Sequence, residues 1–259
     1  MATGSDAQDL HRRRARSFGA VAADYAAHRP PYPDEAVDLA LAAATRTVVR
    51  VLDLGAGTGM LTAALAGRGL DVVAVEPDPE MLARLRADLP GVEARSGGAE
   101  AIPLPDASVD AVLAGQSLHW FDLDRATPEM ARVLRPGGVL AGLWNAADTS
   151  VDWLLGVREA TGQGRTAPSD PRGAGTGIEM PGEPFFTAAE RTDVRWTRRR
   201  TTDGYLAEIA THSWALTSEP AERDAAFARA RAYLAERPET ASGVFDVPLV
   251  TLVWRTLRR

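Results

Sequence analysis

The segment VLDLGAGTG, residues 51–59, constrains this chain more than any other stretch. A short apolar run delivers Asp53 and Leu54 into a turn built on Gly55, Ala56 and Gly57, and a helical pattern opens near Thr58. Glycine takes positive φ without steric cost and lets a ligand lie against bare backbone. A strand, a glycine turn and a helix in that order belong to parallel sheets that bind nucleotides beyond the carboxyl ends of their strands. The next apolar run, DVVAVE, ends on Glu76 and is followed by Pro77. A carboxylate at that strand tip accepts hydrogen bonds from the hydroxyls of an adenosine ribose. Turn and acid together predict a nucleoside-bearing cofactor.

The pattern repeats around this unit. TGMLTAALAGRG reads as a helix closed by Gly67 or Gly69, and DPEMLARLRADLPG as a helix that Asp78 caps. GVEARS is a short strand, SVDAVLAGQ a branched apolar strand, DLDRATPEMARVLRPGG a helix ending at a Pro-Gly-Gly turn, and VLAGLWN a further strand. Repeated β-α alternation with short connections predicts a largely parallel sheet with helices on both faces. Upstream, Pro30, Pro31 and Pro33 stop a short helix over 18–28, and a second helix starts at Asp34. After Asn145 the pattern changes to a helix at VDWLLGVREATG, a glycine- and proline-rich loop over 162–182, a strand at TDVRWTRRR, helices at DGYLAEIATHSWAL and AERDAAFARARAYLAERP, and a last strand at VFDVPLVTLVWRTLRR. The expected organisation is one domain over 1–259. It divides into an N-terminal helical lid segment at about 18–47, a cofactor-binding core at about 48–145, a cap that sets specificity at about 146–240, and a final core strand at about 244–257.

Composition narrows the partners. A net charge of -6 over 259 residues weighs against nucleic acid and anionic membrane surfaces. The chain has no cysteine, which removes disulfides and thiolate chemistry, and its 4 histidines leave little for a zinc site, so no metal is expected. Every cationic side chain is arginine. The basic start carries no apolar run after it, and no stretch reaches the length of a membrane span, so a cytoplasmic protein is expected.

Glycine turn and strand-tip acid do not by themselves separate S-adenosylmethionine (SAM) from NAD. With the later motifs in order, the chain resembles the class I SAM-dependent methyltransferases, in the small-molecule group with trans-aconitate methyltransferase-like and ubiquinone- and menaquinone-biosynthesis-like members. The resemblance covers residues 18–145. VLDLGAGTG is similar to the SAM-binding loop, and Glu76 to the ribose-binding acid. GGAEAIPLPDASVDAVLAGQSLHW, residues 97–120, is similar to the adenine-side loop and fourth strand, and RVLRPGGVLAGLW, residues 132–144, to the junction into the fifth strand. The fold implied is α/β, a Rossmann-like class I methyltransferase sheet, mostly parallel with the last strand antiparallel, carrying helical lid elements. The implied cofactor contacts are Gly55, Ala56, Gly57, Thr58, Glu76, Pro77, Gly98, Ala99, Glu100, Gln116, Ser117 and Trp120. Most relatives hold the adenine amino group with an aspartate where this chain has Gly98. That departure leaves part of the contact to backbone at Ala99, with Glu100 behind it. Asp53 either meets the methionine amine or orients the turn.

The front array of Phe18, Tyr25, Arg29, Pro30, Tyr32 and Pro33 is similar to one in the trans-aconitate-like subgroup, where the segment folds over the cofactor. Tyr25 and Arg29 then contact the methionine end of SAM, or Arg29 a substrate carboxylate, since guanidinium pairs bidentately with carboxylate. The alternative is that Arg29 ties a loop to the surface. His119, in GQSLHWF after the fourth strand, is the candidate general base, or else shapes the pocket. Trp120 reads as a wall. Substrate contacts are expected from Arg29, His119, Trp144, Tyr205, His212 and Trp214, with Tyr205 and His212 spaced to share one helix face; the alternative is that most of the C-terminal aromatic residues pack the lid's own core. Arg198, Arg199 and Arg200 read as a solvated edge. The activity implied is methyl transfer from SAM to an oxygen of a small molecule, a carboxylate or phenolic hydroxyl. The competing readings are a SAM-binding fold reused for non-methylating chemistry such as cyclisation, and a SAM-binding protein without catalysis.

Overall fold

The computed structural model describes residues 29–164 and 179–259. The expected helix over 18–28, Tyr25 with it, and most of the 162–182 loop lie outside the described residues. The order within them is α1 (Asp34–Ala42), β1 (Arg50–Leu54), α2 (Met60–Ala66), β2 (Asp71–Glu76), α3 (Pro79–Asp88), β3 (Glu93–Ser96), β4 (Val109–Gly115), a 3₁₀ turn (Leu118–Trp120), α4 (Leu123–Val133) and β5 (Leu134–Ala147). Then come α5 (Asp152–Ala160), β6 (Glu190–Thr201), α6 (Thr202–Ala210), α7 (Ser213–Thr217), α8 (Pro220–Glu236) and β7 (Val244–Leu257).

The strands form one sheet in the order β3-β2-β1-β4-β5-β7-β6. β1 to β5 are parallel, and β7 is antiparallel to both of its neighbours. This is the Rossmann-like class I methyltransferase sheet, with its single reversal at the last strand of the chain. Strand alternation divides the core. Leu52, Leu54, Val73, Val75 and Val112 face Met130 and Val133 of α4, while Val51, Val72, Ala111 and Leu113 face Val37 and Ala40 of α1 and Leu61 and Leu65 of α2. β1, β2 and β4 are apolar on both sides because both faces are covered.

Two details differ from the pattern in the sequence. The Pro-Gly-Gly at 136–138 is not a turn between helix and strand: α4 ends at Val133 and β5 starts at Leu134. The register against β4 shifts between Val109 and Ala111, and a Cβ on Gly138 would lie 2.7 Å from the Asp110 carbonyl oxygen, so glycine lets the strand pass the bulge. The second difference concerns the stretch DGYLAEIATHSWAL, which is two helices, not one. The Thr211 hydroxyl donates to Glu208 O at 2.7 Å and His212 is extended, with ψ at 146°, as the N-cap of α7. Tyr205 and His212 therefore do not share a helix face.

At the amino ends of the strands, Asp110 is buried and accepts from Val49 N and Arg50 N, each at 3.0 Å, and from Arg135 Nη1 at 2.9 Å. Burial opposes its ionisation, but these donors outweigh it and hold the carboxyl below its ordinary range.

At the opposite end, β7 pairs with β5 only from Leu249 onward, while β6 accompanies it from Val244. The β6–β7 ribbon thus projects past the carboxyl end of β5. A third core forms on the projection, where Phe245, Val247 and Leu249 pack with Trp153 and Val157 of α5, Tyr205 and Ile209 of α6, and Ala230 and Leu234 of α8. Among the described residues no helix is long and apolar enough to cross a membrane.

Candidate functional site

The carboxyl ends of β1, β2 and β4 meet at residues 54–58, 76–77 and 115–120. Gly55 N and Ala56 N both donate to Val75 O, at 2.9 and 3.1 Å, which pins the glycine turn to the neighbouring strand. Gly55, Gly57 and Gly59 have φ of 68°, 58° and 91°. Gly59 caps α2, so the helix begins at Met60, later than the Thr58 of the sequence pattern. Ser117 is buried and donates to Leu54 O at 2.8 Å, and its Cβ would stand 2.7 Å from a Cβ on Gly55.

Two carboxyl groups underlie this turn. Glu76 accepts from Gly57 N at 2.7 Å and from Asp78 N at 2.8 Å. Burial pushes its carboxyl up, against the pull of the Asp78 and Gly57 N–H groups. Asp53 is 1% exposed and accepts from the Thr62 hydroxyl at 2.6 Å through Oδ2, while its Oδ1 is buried without a hydrogen-bond partner. Burial, opposed by Thr62 and reinforced by the nearby Glu76, pushes the Asp53 carboxyl up to about 7. A buried carboxylate oxygen without a partner is costly, and a cationic group set against it would relieve that cost. Unoccupied lone pairs at Asp53, a bare-backbone turn and an acid at the β2 tip fit the amine, backbone and ribose of SAM.

The raised value has a testable sign. The unfolded carboxyl ionises near its ordinary 3.8 and the folded one near about 7, so the folded state binds the proton more tightly. This contribution is fully present below about pH 4 and is lost as pH rises toward about 7. Asp53→Asn is expected to flatten that slope, worth up to about 4 kcal/mol, in denaturant unfolding of cofactor-free protein. An unchanged slope would assign it to other groups.

On the adenine side, Ala99 is buried, and Glu100 accepts from Asp122 N at 3.0 Å, so its carboxylate braces the start of α4. Glu129 and Arg132 hold the same loop: Ile102 N donates to Glu129 at 2.8 Å, and Arg132 donates to Ile102 O and Leu104 O at 2.9 and 2.8 Å. Arg132 keeps the Glu129 carboxyl below its ordinary range. Both residues sit in RATPEMARVLRPGG, whose apolar period conceals their role as a clamp.

Past β4, Gln116 has φ of 58° and donates from Nε2 to Asn145 O at 2.9 Å. His119 is exposed, with its ring tilted against Trp120 at 4.8 Å, and its Nδ1 accepts from Trp144 Nε1 at 3.3 Å. Trp144 itself is 5% exposed and belongs to the core with Phe186 and Leu252. Pro77 is exposed beside Glu76.

The front segment lies over this end of the sheet. Tyr32 is buried with its hydroxyl 2.6 Å from where a Cβ on Gly115 would stand. Asn145 donates to Pro30 O and Pro31 O, each at 3.1 Å, and accepts from the Thr251 hydroxyl at 2.6 Å, which in turn accepts from Trp196 Nε1 at 2.9 Å. The sequence marks Asn145 only as the residue where an apolar strand turns polar, and nothing local marks Thr251. Arg29 donates to Thr211 O at 3.3 Å, which joins the front segment to the cap at the α6–α7 break. There burial, with Arg29 and Arg158 adding to it, pushes His212 down to about 3, so it is neutral. Tyr205 lies inside the cap core, edge-on to Trp153 and Phe245, and Trp214 packs on Phe227. Of the expected substrate residues, His119 and Trp144 are in contact with each other, Arg29 and His212 interact electrostatically, and Tyr205 and Trp214 are held in the cap's own packing. Arg198 and Arg200 are not a solvated edge, since both donate to the buried Glu208; Arg199 is exposed. Among the described residues no group of His, Asp and Glu is placed to hold a metal ion.

Comparison with known proteins adds to this geometry. The methyltransferase-domain family matches residues 52–142. An uncharacterised methyltransferase of Mycobacterium tuberculosis is 46% identical over 92% of this chain and 94% of its own length. A malonyl-[acyl-carrier protein] O-methyltransferase of Enterobacter lignolyticus is 35% identical over 52% of this chain and 54% of its own length. A solved structure described as a type II methyltransferase from Anaeromyxobacter dehalogenans superposes with a TM-score of 0.64 at 27% identity, covering 89% of this chain and 97% of that one. Sheet order, glycine turn, strand-tip acid and near full-length likeness agree, and the chain belongs to the class I SAM-dependent methyltransferases.

Proposed function

We propose that this protein transfers the methyl group of SAM to an oxygen of a small molecule, a carboxylate or a phenolic hydroxyl. The observation that carries the choice of an anionic acceptor is electrostatic. Burial keeps the His212 imidazole at the α6–α7 break neutral, and Arg29 and Arg158 act on it in the same direction, so His212 adds no charge to these two guanidinium groups. Arg158 is partly buried, which weakens its hydration, and a carboxylate is the natural partner for such guanidinium groups. The relative named as an O-methyltransferase points the same way for oxygen.

In this reading Glu76 holds the ribose hydroxyls, Asp53 the methionine amine, backbone at Gly55, Ala56 and Gly57 lies along the cofactor, and Ala99 meets the adenine, with Glu100 bracing the loop. Thr58, Pro77, Gly98, Gln116, Ser117 and Trp120 complete the walls, and Arg29 directs the acceptor. When bound, the cofactor supplies an activated methyl group on a sulfonium. The protein's own work is then to bring the acceptor oxygen into line with it and to exclude water, and positioning alone accounts for much of the rate in such reactions.

Incubation with methyl-deuterated SAM and a panel of carboxylates, phenols, alcohols and amines tests this. Labelled methyl esters or aryl ethers are expected. Product without the label would mean that the fold performs other chemistry, and label on nitrogen would overturn the oxygen assignment.

A further inference from the structure

We propose that Trp144 fixes the imidazole of His119 with its proton on Nε2, so that His119 serves the reaction as a hydrogen-bond donor and the acceptor oxygen arrives already ionised. This rests on the methyl-transfer reading and narrows it.

The indole N–H can only donate. Trp144 Nε1 lies 3.3 Å from His119 Nδ1, so Nδ1 is the acceptor and carries no proton. A neutral imidazole has one donor and one acceptor nitrogen, which leaves the proton on Nε2. The arrangement holds because the indole has nowhere to go. Trp144 is 5% exposed, its six-membered ring covers the Cα of Gly142 so closely that a Cβ there would run into it, and Met180 lies beside that position. Its neighbours in the core are Phe186, Val250 and Leu252. A proton on Nδ1 would point head-on at the indole N–H.

A general base needs an unprotonated nitrogen facing the substrate. Here the unprotonated nitrogen faces the wall, and the edge carrying Nε2–H is the other side of an exposed ring at the carboxyl end of β4. Such a group stabilises an anionic oxygen and orients it, and does not remove a proton from it. The balance of the reaction agrees. An ionised acceptor oxygen uses a lone pair to form the new C–O bond while the S–C pair stays on sulfur. One negative and one positive charge are quenched together, and no proton has to leave. A neutral alcohol or amine would release a proton that His119, in this tautomer, is not placed to take. Carboxylates, and phenols acidic enough to be ionised in solution, are therefore the acceptors that the site suits.

Nitrogen NMR of histidine-labelled protein reads the tautomer directly, and with 4 histidines in the chain the H119Q variant assigns the signal. The expected result is a protonated Nε2 and a bare Nδ1 in the wild type, with a mixture of tautomers in Trp144→Phe, which removes the donor. A protonated Nδ1 in the wild type would overturn the proposal. Kinetics gives a second, independent readout. A glutamine side chain places an N–H near the Nε2 position, whereas asparagine and alanine do not. With a carboxylate acceptor, H119Q is expected to keep kcat/KM within about fivefold of wild type. H119N and H119A should lose about 10- to 100-fold, the worth of one hydrogen bond to a charged group. A general base would make H119Q fall as far as H119A, by about 10²- to 10⁴-fold, and that outcome would also sink the idea. If the wild type methylates no acceptor, the methyl-transfer reading fails, while the NMR result still decides the tautomer.

Discussion

Gly55→Ala is expected to abolish cofactor binding and to cost about 2–5 kcal/mol of stability in denaturant unfolding. Two effects add at this position. The backbone has φ of 68°, where an L side chain costs about 1–2 kcal/mol. A Cβ would also stand 2.7 Å from Ser117 Cβ and 2.9 Å from Ser117 Oγ, and Ser117 cannot retreat without giving up its bond to Leu54 O. Overpacking of that kind costs about 1–3 kcal/mol. Gly69 supplies the comparison, since it has φ of 75° but no atom within 4 Å of where a Cβ would stand. Gly69→Ala should show the backbone cost alone and bind cofactor normally. Equal destabilisation of the two variants would mean that the turn is not clamped between β1 and the segment after β4. Unaltered titration of Gly55→Ala with S-adenosylhomocysteine would take the turn out of the cofactor site.

Glu76→Gln is expected to weaken S-adenosylhomocysteine binding by about 10²- to 10⁴-fold in calorimetry, from the loss of two hydrogen bonds to a charged acceptor at about 1.5–3 kcal/mol each. The carboxylate meets two N–H groups of the protein itself, Gly57 N at 2.7 Å and Asp78 N at 2.8 Å. Glutamine satisfies one of them and turns an amide N–H toward the other, so it also disturbs the loop that must lie along the cofactor. The cofactor-free variant should lose about 1–3 kcal/mol of stability, the cost of the one buried N–H left without an acceptor. Unchanged affinity would remove Glu76 from the ribose site.

The sheet and the glycine turn at its carboxyl end were legible in the sequence because their signals are local. An apolar strand, a glycine turn and a strand-tip acid lie within 51–76, and Asp78 caps its helix through N–H groups two and three residues on. What failed to show were contacts made across long stretches of chain. Asn145 reaches Pro30, Pro31 and Thr251. Glu208 collects Arg198 and Arg200 from the neighbouring strand, which changes a supposed surface run into an ion cluster. The single long helix expected around His212 failed for a different reason. Periodicity spans the break, where the Thr211 hydroxyl turns back on Glu208 O and His212 becomes extended. His119 stands out by its position after β4, but its protonation geometry depends on Trp144 from the adjacent strand.

Asp110 has a consequence for how such a molecule can change. Its buried carboxylate ties the entry of β1 to β4 and, through Arg135, to β5, at the end of the sheet away from the glycine turn. Strand alignment is thus secured by a lock remote from the proposed cofactor site. The opposite rim is held by the separate fastenings of Asn145, Arg29 and the cap. Substitutions on that rim are free to alter what is admitted and how it is oriented while the alignment of the strands is kept. A division of labour of this kind lets one scaffold be retuned toward new acceptors in small steps.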